Sequence, residues 1–441
     1  MVTYEEAENA LNNLPRFAEK HGLREVRILL KELGNPDRLY PSVHIAGTNG
    51  KGSVAAALDS CLRESGLVTG RFTSPHLVTM RERITLGGEM ISEADFALCY
   101  EEAEAAAERC GRRGVTHPTF FEMLYLMACI YFARKKPGAA IIETGLGGRL
   151  DATNSLEEPL LCVITSISLD HVAYLGDTIG QIAAEKAGII KSGAPVVFLG
   201  GTDASEVISK KAAEKGSEAI EVLPGDVSEV SVRRGAIDFS VRSFYHGGKM
   251  RLSFPTEAAY QAENAALAVR ALEALEGRLR GFAFSENEIR EGLLGTSWPC
   301  RMQEVEEGVF LDGAHNAGGI EAFARSLKEA ARLRGTERIV LAFGAAADKE
   351  AEKMVRTLCR ELKPAKCVCT GIKGKRRREA EDFAALFEAE GVADTACASG
   401  GAEAYEMAAA ARNGGVAGIC GSLYLAGEIL EYLSKRGSFA E

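Results

Sequence analysis

The sequence of 441 residues has no apolar run long enough to span a membrane, no CxxC pair and no excess of positive charge. A membrane span needs about 20 consecutive apolar residues, so a membrane protein is not expected. The formal net charge of −10 argues against a general nucleic-acid binder, because such a protein normally carries a basic surface. Residues 1–10 are acidic and polar, unlike a secretory signal, and a cytoplasmic protein is therefore expected.

The eleven cysteines do not form the pattern of a disulfide scaffold or of a structural zinc site. Their number is odd, the chain is long, and most of them lie in helical or strand-like runs where a free thiol packs as a small apolar group. At about 150 residues per domain, the length allows two or three domains.

Short apolar runs alternate with longer amphipathic segments, which predicts an α/β fold with a mostly parallel sheet covered by helices. The first predicted strands are 43–46, 139–143, 161–165 and 195–199, and the first predicted helices are 53–65, 93–109 and 120–134. Two short strands at 227–232 and 236–241 then predict a small antiparallel sheet, followed by a long helix over 257–276.

A stretch containing Gly, Ser and Pro at 292–299 is typical of a linker. Beyond it the alternation restarts, with predicted strands at 309–312, 338–343, 365–370 and 415–420. We therefore predict two domains, 1–297 and 298–441.

A glycine-rich segment, GTNGKGS at 47–53, follows the first predicted strand and opens a helix. Glycines let a backbone approach a phosphate closely, and a helix start presents free N–H groups and the positive end of a dipole. Lys51 can reach the β- and γ-phosphates of a nucleotide, and the Ser53 hydroxyl can bind Mg²⁺. The spacing departs from the standard P-loop, because Ile45 occupies the first glycine position and Gly52 separates the lysine from the serine. A tight strand–helix turn is the alternative, but the lysine and the serine favour phosphate binding.

Two further polar residues end or follow predicted strands, where α/β proteins place their active groups. Glu143 closes the strand at 139–143 and can bind Mg²⁺, or it can cap a backbone group. His171 follows the strand at 161–165 and can be a metal ligand or a surface residue. Both are expected at the same sheet edge as Ser53, which favours a metal and phosphate site.

Two basic features allow more than one interpretation. Lys186, in AEKAGIIK at 184–191, can neutralise phosphate, can be a solvated helix lysine, or can react with CO₂ to form a carbamate that acts as a carboxylate-like ligand. The run KGKRRR at 373–378 is interpreted as a solvated loop, with attraction for an anionic substrate tail as the minor alternative.

Near the predicted domain boundary, WPCR at 298–301 is followed by DGAHN at 312–316. The planar guanidinium of Arg301 suits phosphate oxygens, and Asp312 ends a strand. An ordinary linker and turn would explain the Asp-Gly pair, but they give no reason for His315 and Asn316.

These segments resemble the folylpolyglutamate synthase/dihydrofolate synthase family of the Mur ligase superfamily. The matching motifs follow the family's order over most of the chain: GTNGKGS (47–53), TSPHL and ERI (73–77 and 82–84), ETGLGGRLDATN (143–154), SLDH (168–171), EKAGIIK (185–191), ENAALA (263–268), WPCR (298–301), DGAHN (312–316), GAAADKE (344–350) and GSLYLAGE (421–428). The resemblance implies an N-terminal P-loop ATPase domain, a C-terminal Rossmann-like α/β domain and an active site between them.

The resemblance also implies the roles of individual residues. Nucleotide contacts are expected from Gly47, Thr48, Asn49, Gly50, Lys51, Gly52, Ser53, Asn264, Arg301 and Asp312. Two Mg²⁺ sites are expected to use Ser53, Ser74, Glu143 and His171, with Lys186 at the position of the family's carbamylated lysine. Substrate contacts are expected from Phe121 and Asp151 near the pterin and from His315 and Ser422 near the nucleotide and glutamate, and the catalytic residues are expected to be Lys51, Lys186 and His315. The chain departs from the family at Cys300, where glycine is usual, and at HPTFF (117–121).

The implied activity is ATP-dependent attachment of L-glutamate to a folate or dihydropteroate carboxylate. The carboxylate would first become an acyl phosphate, and the amine of glutamate would then form the amide, with Lys51, Arg301 and Mg²⁺ neutralising the transferred charge. Small molecules are the only expected partners, and a monomer is expected. Whether the acceptor is dihydropteroate, a reduced folate or both stays open.

Three rival classes explain less of the sequence. A P-loop switch or transporter-type ATPase accounts for GTNGKGS but leaves DGAHN and WPCR without a role. A cell-wall amino-acid ligase is disfavoured by ETGLGGRLDATN and by the start of GTNGKGS at residue 47, which leaves no room for a third N-terminal domain. A non-catalytic folate-binding module would not need Lys51, Glu143 and His171 together.

Overall fold

The computed structural model describes residues 2–15, 23–243, 247–279, 282–347, 350–372 and 378–437. Within these residues the chain forms two compact units. The first comprises Met1–Ser228, Val241–Met250 and Glu263–Thr296, and the second comprises Glu229–Ser240, Arg251–Ala262 and Ser297–Glu441. The predicted domains, 1–297 and 298–441, stay a prediction.

The first unit is built on an eight-stranded sheet in the order β4-β3-β2-β5-β1-β6-β7-β8. Its strands are β1 (Ser42–Ala46), β2 (Thr69–Phe72), β3 (Ile84–Leu86), β4 (Glu89–Met90), β5 (Ala139–Glu143), β6 (Leu161–Ile164), β7 (Val196–Leu199) and β8 (Ala219–Val222). Strand β3 pairs in antiparallel fashion with both β2 and β4, and the other neighbouring pairs are parallel. Every residue of β1 and β5 is buried, as expected for central strands of a parallel sheet.

Helices flank these strands along the chain. Up to Leu294 they are α1 (Tyr4–Asn13), α2 (Leu23–Glu32), α3 (Lys51–Glu64), α4 (Glu93–Gly111), α5 (Phe120–Lys135), α6 (Val172–Leu175), α7 (Ile179–Ala187), α8 (Ser205–Glu214), α9 (Gln261–Leu275) and α10 (Glu286–Leu294). Short 3₁₀ helices lie at Pro36–Arg38, Met80–Arg83, Ala152–Ser155 and Pro224–Asp226. A separate three-stranded sheet has the order β11-β10-β9, formed by β9 (Val227–Arg233), β10 (Ala236–Ser243) and β11 (Gly248–Phe254).

The second unit contains a six-stranded sheet in the order β12-β13-β17-β14-β15-β16. Its strands are β12 (Gln303–Glu306), β13 (Val309–Leu311), β14 (Ile339–Phe343), β15 (Lys366–Thr370), β16 (Thr395–Ala398) and β17 (Val416–Cys420), and its helices are α11 (Ala317–Leu333), α12 (Ala351–Leu362), α13 (Ala380–Ala389), α14 (Gly401–Ala411) and α15 (Leu423–Lys435). Strand β12 is antiparallel to β13 and the remaining pairs are parallel. In its core Phe343 packs against Phe383 and Phe387, with ring centroids 5.3 and 5.6 Å apart.

The predicted α/β class is confirmed, with a mostly parallel sheet, a small antiparallel sheet and a C-terminal α/β domain. All eleven cysteines are free, and all except Cys397 are buried, as expected for thiols that pack as apolar groups. None of the helices in the described part of the chain combines the length and the apolar character that crossing a membrane requires.

Two predicted boundaries are wrong. The stretch 292–299 is not a linker from its start, because α10 continues to Leu294. Gly292 allows close helix packing there: a Cβ on it would lie 2.5 Å from Cα of Cys61 in α3. The helix predicted from residue 257 begins only at Gln261, because the backbone forms bends at 255–257 and a turn at 259–260.

Candidate active site

The glycine-rich loop, residues 47–50, joins β1 to α3 and can be built only with glycine at two positions. A Cβ on Gly47 would lie 1.7 Å from Oγ1 of Thr165, and a Cβ on Gly50 would lie 2.4 Å from Oδ1 of Asn264. Gly50 also has a φ of 88°, which L side chains rarely adopt. The loop therefore presents bare backbone at the start of α3, and the predicted nucleotide contact Asn264 lies against it.

Two lysines donate to the same carbonyl of this loop. Lys51 Nζ lies 3.2 Å from the Gly47 oxygen and 3.4 Å from the Thr48 oxygen. Lys186 Nζ lies 2.7 Å from the Gly47 oxygen. The sequence motifs at 47–53 and 184–191 thus converge on one point of the backbone.

Lys186 is only 3% exposed, so it is not the solvated helix lysine that the sequence allowed. Burial lowers the pKa of Lys186 from its ordinary value of 10.5 to about 7, and the charge of Lys51 lowers it further, while Asp170 and Asp151 oppose the shift. A substantial fraction of Lys186 is therefore a neutral amine near neutral pH.

Glu143 lies at the carboxyl end of β5 and is 3% exposed. Its Oε1 is 3.8 Å from Nζ of Lys51, and its Oε2 accepts the backbone N–H of Ser74 at 3.3 Å. The carboxylate therefore joins the glycine-rich loop to the TSPHL segment at 73–77. This buried charge has a cationic partner, which reduces the cost of burying it.

His171 precedes α6 in a left-handed conformation, with a φ of 50°. Its side chain is 34% exposed, and its Nε2 lies 3.9 Å from Oδ2 of Asp170. In the part of the chain that the structure describes, no three His, Cys, Asp or Glu side chains form a ready metal cluster. The donors at this sheet edge are instead the hydroxyls of Ser53 and Ser74 and the carboxylate of Glu143, and such oxygen donors fit Mg²⁺ that keeps phosphate and water ligands.

The ETGLGGRLDATN segment is tied to the end of α7, which carries Lys186. The N–H of Arg149 donates to the Glu185 carbonyl at 2.7 Å, and Nδ2 of Asn154 donates to the Gly188 carbonyl at 3.1 Å. A Cβ on Gly148 would lie 2.9 Å from Cα of Lys186, so the two segments are in close contact. This segment therefore positions Lys186.

Asp151 is buried, and its carboxylate is engaged within its own loop. Oδ2 accepts the N–H of Leu146 at 2.8 Å, and Oδ1 accepts the N–H of Thr153 at 3.1 Å and its hydroxyl at 2.5 Å. The Thr153 hydroxyl in turn accepts Nε2 of His44 at 2.9 Å. Burial raises the pKa of Asp151, although these hydrogen bonds oppose the shift. The predicted pterin contact of Asp151 stays a prediction, because the observed contacts are structural.

Phe121, the other predicted pterin contact, forms an apolar wall beside the same loop. Its ring lies against Gly145, where a Cβ would come within 2.6 Å of Cζ, and its centroid is 5.6 Å from that of Phe72. An aromatic wall over bare backbone is suited to a flat ring system, and the pterin role of Phe121 also stays a prediction.

Sequence reasoning assigned no role to the hydroxyls of TSIS at 165–168, a run that hydrogen-bonds to Thr48 and Asn49 of the glycine-rich loop. The signal was present, since three hydroxyl residues follow directly after a buried strand. In the second unit, sequence reasoning also missed Tyr260, whose hydroxyl donates to Oδ2 of Asp312 at 3.4 Å.

In the second unit, Asp312 ties two loops together. Its Oδ2 accepts the N–H of Met302 at 2.8 Å, and its Oδ1 accepts the N–H of Ala314 at 2.8 Å. Burial raises the pKa of Asp312, while the positive charge of Arg301 lowers it. The segments that carry Arg301 and His315 are therefore held by one carboxylate.

The backbone at WPCR keeps a conformation that glycine adopts most easily. Cys300 has a φ of 57°, and its carbonyl accepts Nη1 of Arg301 at 2.8 Å and the N–H of Gly313 at 2.9 Å. A Cβ on Gly313 would lie 2.7 Å from Nη1 of Arg301. The glycine after Asp312 thus makes room for the guanidinium.

His315, Asn316 and Ser422 also have defined partners. Nδ1 of His315 lies 2.7 Å from the Gly313 carbonyl and must donate to it, so Nε2 is an acceptor in the neutral ring. Asn316 caps α11 by accepting the N–H of Gly319 at 2.8 Å. This cap explains why an asparagine stands at position 316, which the sequence alone did not explain. Ser422 caps α15, and its neighbour Gly421 donates to the Ala314 carbonyl at 2.8 Å.

The structure therefore brings the predicted residues together in two sets. In the first unit Lys51, Glu143, Ser74 and Lys186 are linked through the glycine-rich loop, and in the second unit Arg301, Asp312, His315 and Ser422 lie on contacting loops. Residues 348–349 of GAAADKE and 373–377 of the basic run lie outside the described residues.

Comparison with known proteins matches both parts of the chain. The Mur ligase middle domain matches residues 45–272, and the Mur ligase glutamate ligase domain matches residues 300–423. The chain is 35% identical over 372 residues to the dihydrofolate synthase/folylpolyglutamate synthase of Bacillus subtilis strain 168, which covers 81% of this chain and 83% of that protein.

Solved structures agree over almost the whole length. E. coli FolC in complex with DHPP and ADP has a TM-score of 0.84 and 30% identity, covering 99% of this chain and 98% of that chain. Mycobacterium tuberculosis folylpolyglutamate synthase complexed with ADP has a TM-score of 0.87 and 29% identity, with the same coverage of 99% and 98%.

Proposed function

This chain belongs to the folylpolyglutamate synthase/dihydrofolate synthase family of Mur ligases, and we propose how its residues carry out ATP-dependent attachment of L-glutamate to a folate or dihydropteroate carboxylate. The observation that carries the proposal is the group of Lys51 with the buried side chains Glu143 and Lys186 around a glycine-rich loop, in a chain that has both Mur ligase domains. The similar E. coli protein was solved with DHPP and ADP.

The reaction needs an activated acid, because a carboxylate would have to expel an oxide ion when an amine attacks it. Transfer of the γ-phosphoryl group of ATP to the carboxylate gives an acyl phosphate and ADP. The amine of glutamate then attacks the acyl carbon, loses a proton and expels phosphate, which leaves an amide. The first step requires charge neutralisation and alignment more than covalent help.

Lys51 supplies a fixed positive charge for this step. It donates to loop carbonyls at 3.2 and 3.4 Å, and phosphate oxygens offer it stronger, charge-assisted acceptors. The Glu143 carboxylate forms an ion pair with Lys51 at 3.8 Å. The N–H groups at the start of α3 add to the same attraction for phosphate.

Two Mg²⁺ sites are proposed at this sheet edge, and bound Mg²⁺ would neutralise the charge on the phosphates. Ser53 would hold the first ion, and Ser74, Glu143 and His171 would hold the second. The burial of Ser53 in the first turn of α3 and the hydrogen bond from the Ser74 N–H to Glu143 support this proposal.

Lys186 is proposed to be carbamylated. Its neutral amine attacks CO₂, forming an N–C bond and releasing one proton, and the product carries a negative charge. The carbamate nitrogen keeps one hydrogen, which can still donate to the Gly47 carbonyl now 2.7 Å away. Such a group would bring a further anionic oxygen donor to the metal site.

In the second unit, Arg301 is proposed to bind phosphate oxygens with its planar guanidinium, and Asp312 to contact the nucleotide while holding the loop of Arg301. His315 is proposed to accept a proton from the glutamate ammonium, because its Nδ1 donates to the Gly313 carbonyl and its Nε2 is the acceptor. Ser422 is proposed to assist glutamate binding.

The test uses MgATP and L-glutamate with 7,8-dihydropteroate in one tube and tetrahydrofolate in another, with tubes lacking glutamate as controls. Phosphate release and product mass are measured together. A gain of one glutamate on dihydropteroate would establish dihydrofolate synthase activity, and a gain on tetrahydrofolate would establish polyglutamylation. Phosphate release that does not depend on glutamate in either tube would contradict the proposal. The acceptor, the monomeric state and the cytoplasmic location stay predictions.

A further inference from the structure

Thr48 of the glycine-rich loop directs its polar groups to the neighbouring loop at 165–171, which we name the β6 loop. The N–H of Thr48 donates to the Ser166 carbonyl at 2.8 Å. Its hydroxyl donates to the Ser168 carbonyl at 3.1 Å and accepts the N–H of Ser168 at 3.2 Å. One threonine therefore holds two residues of the β6 loop through both its backbone and its side chain.

Asn49 reinforces this contact from the next position. Its carbonyl accepts the hydroxyls of Thr165 at 2.7 Å and Ser166 at 3.1 Å, and its side-chain amide donates to the Ser168 hydroxyl at 3.3 Å. The two loops start from adjacent parallel strands, since Ala46 of β1 is paired with Ile164 of β6. They form one hydrogen-bonded unit at the edge of the sheet.

The β6 loop ends in the residues that act on the proposed metal site. The Asp170 carboxylate accepts the N–H of His171 at 2.9 Å, and its charge acts on Lys186. His171 lies only three residues after Ser168, so few backbone torsions separate the contact with Thr48 from the imidazole. A shift of Thr48 would therefore move the imidazole.

We propose that Thr48 is a positioning residue that couples nucleotide binding in the glycine-rich loop to metal binding at His171. The inference rests on the proposed function, specifically on the metal role of His171. Coupling of this kind is reciprocal: whatever factor the nucleotide adds to metal affinity, the metal adds to nucleotide affinity. Thr48 itself need not touch the nucleotide through its side chain, because its hydroxyl already donates one hydrogen bond and accepts another.

The experiment compares wild type with Thr48→Val, which keeps the side-chain shape, and Thr48→Ser, which keeps the hydroxyl. Mn²⁺ serves as the metal probe, and free Mn²⁺ is followed by electron paramagnetic resonance in the presence of saturating ADP. ADP affinity is measured separately by calorimetry in EDTA. Thr357→Val is the matched control, because it removes a hydroxyl that donates to the Lys353 carbonyl at 2.9 Å on the exposed side of α12.

Thr48→Val should weaken Mn²⁺ binding to the ADP complex about tenfold, the effect of losing a partly buried hydrogen-bonded pair. Thr48→Ser should restore most of the Mn²⁺ affinity, and the control should match wild type. Thr165→Val removes the hydrogen bond to the Asn49 carbonyl from outside the glycine-rich loop. It should weaken Mn²⁺ binding in the same direction and leave ADP affinity in EDTA within about twofold of wild type, and it serves as the test if Thr48→Val does not fold.

Unchanged Mn²⁺ affinity in a folded Thr48→Val protein would overturn the inference while leaving the proposed function intact. An equal loss of ADP affinity in EDTA for Thr165→Val would also overturn it, because the β6 loop would then support nucleotide binding itself. Failure of wild type itself to bind Mn²⁺ with ADP would instead contradict the proposed metal site, and the inference would fall with it.

Discussion

The burial of Lys186 makes the stability of the protein depend on pH in a defined direction. The pKa of this lysine falls from 10.5 to about 7 on folding, mainly through burial. Between these two values the unfolded chain binds a proton that the folded chain does not, so stability must rise with pH across this window. The substitution Lys186→Met removes the titrating group and keeps a side chain of similar length.

The size of the effect follows from the same shift. The linkage relation shows that burying this amine lowers the free energy of unfolding by about 4 kcal/mol at pH 7 and by about 2 kcal/mol at pH 9. Wild type should therefore gain about 2 kcal/mol relative to Lys186→Met as the pH rises from 7 to 9. The lost hydrogen bond to the Gly47 carbonyl changes the offset between the two proteins but contributes little to this slope.

The assay is urea unfolding followed by far-ultraviolet circular dichroism at pH 7, 8 and 9, in buffer free of CO₂, metal and nucleotide. CO₂ is excluded because carbamylation would change the charge of the group. Lys210→Met, on the exposed side of α8, is the control and should follow wild type at each pH. A free-energy difference between wild type and Lys186→Met that is constant with pH, or that moves against wild type as the pH rises, would refute the reasoning.

Four substitutions test the proposed roles more directly. Lys51→Ala should lower glutamate-dependent phosphate release about 10²-fold or more without unfolding the protein, and near-normal turnover would refute the role of its charge. Gly50→Ala should weaken ADP binding at least about tenfold in calorimetry, because its Cβ would lie 2.4 Å from Oδ1 of Asn264; normal affinity would contradict the close fit. Arg301→Lys should lower kcat/KM for ATP about tenfold, since an ammonium cannot reproduce the planar fork, and an unchanged value would argue against a bidentate contact. Lys186→Ala should be inactive and partly rescued by a small carboxylate, and full activity without rescue would remove the carbamate role.

The central strands could be predicted from the sequence because their surroundings are uniform. Strands β1 and β5 are buried at every residue and are mostly apolar in sequence, as expected for central strands of a parallel sheet; the exceptions are Ser42, His44 and Glu143. Gly292 shows why the predicted start of the linker at residue 292 is wrong: a glycine indicates a turn as readily as a close approach between helices. Only the packing of α10 against Cys61 in α3 distinguishes the two cases.

The residue types of the candidate site could be predicted from the sequence, but the hydrogen-bond partners of its polar groups could not. Strand ends in an α/β sheet gather polar side chains at one edge, which is why Glu143 could be placed with the glycine-rich loop. The sequence does not show that the carboxylate of Asp151 is engaged by its own loop, or that Asn316 caps a helix. Those uses depend on contacts between backbone groups that are brought together only by folding.

The arrangement of the two lysines gives each of them a different chemistry. Two ammonium groups on one carbonyl would repel each other, and the site avoids this by giving only one of them a carboxylate partner. Lys51 has Glu143 3.8 Å away, whereas Lys186 is buried beside Lys51 and its pKa is lowered to about 7. A neutral amine is the form that reacts with CO₂, so burial, aided by the charge of Lys51, favours the proposed carbamylation of Lys186. The two roles are therefore properties of the pair, and a change in the charge of either lysine should alter the chemistry of the other.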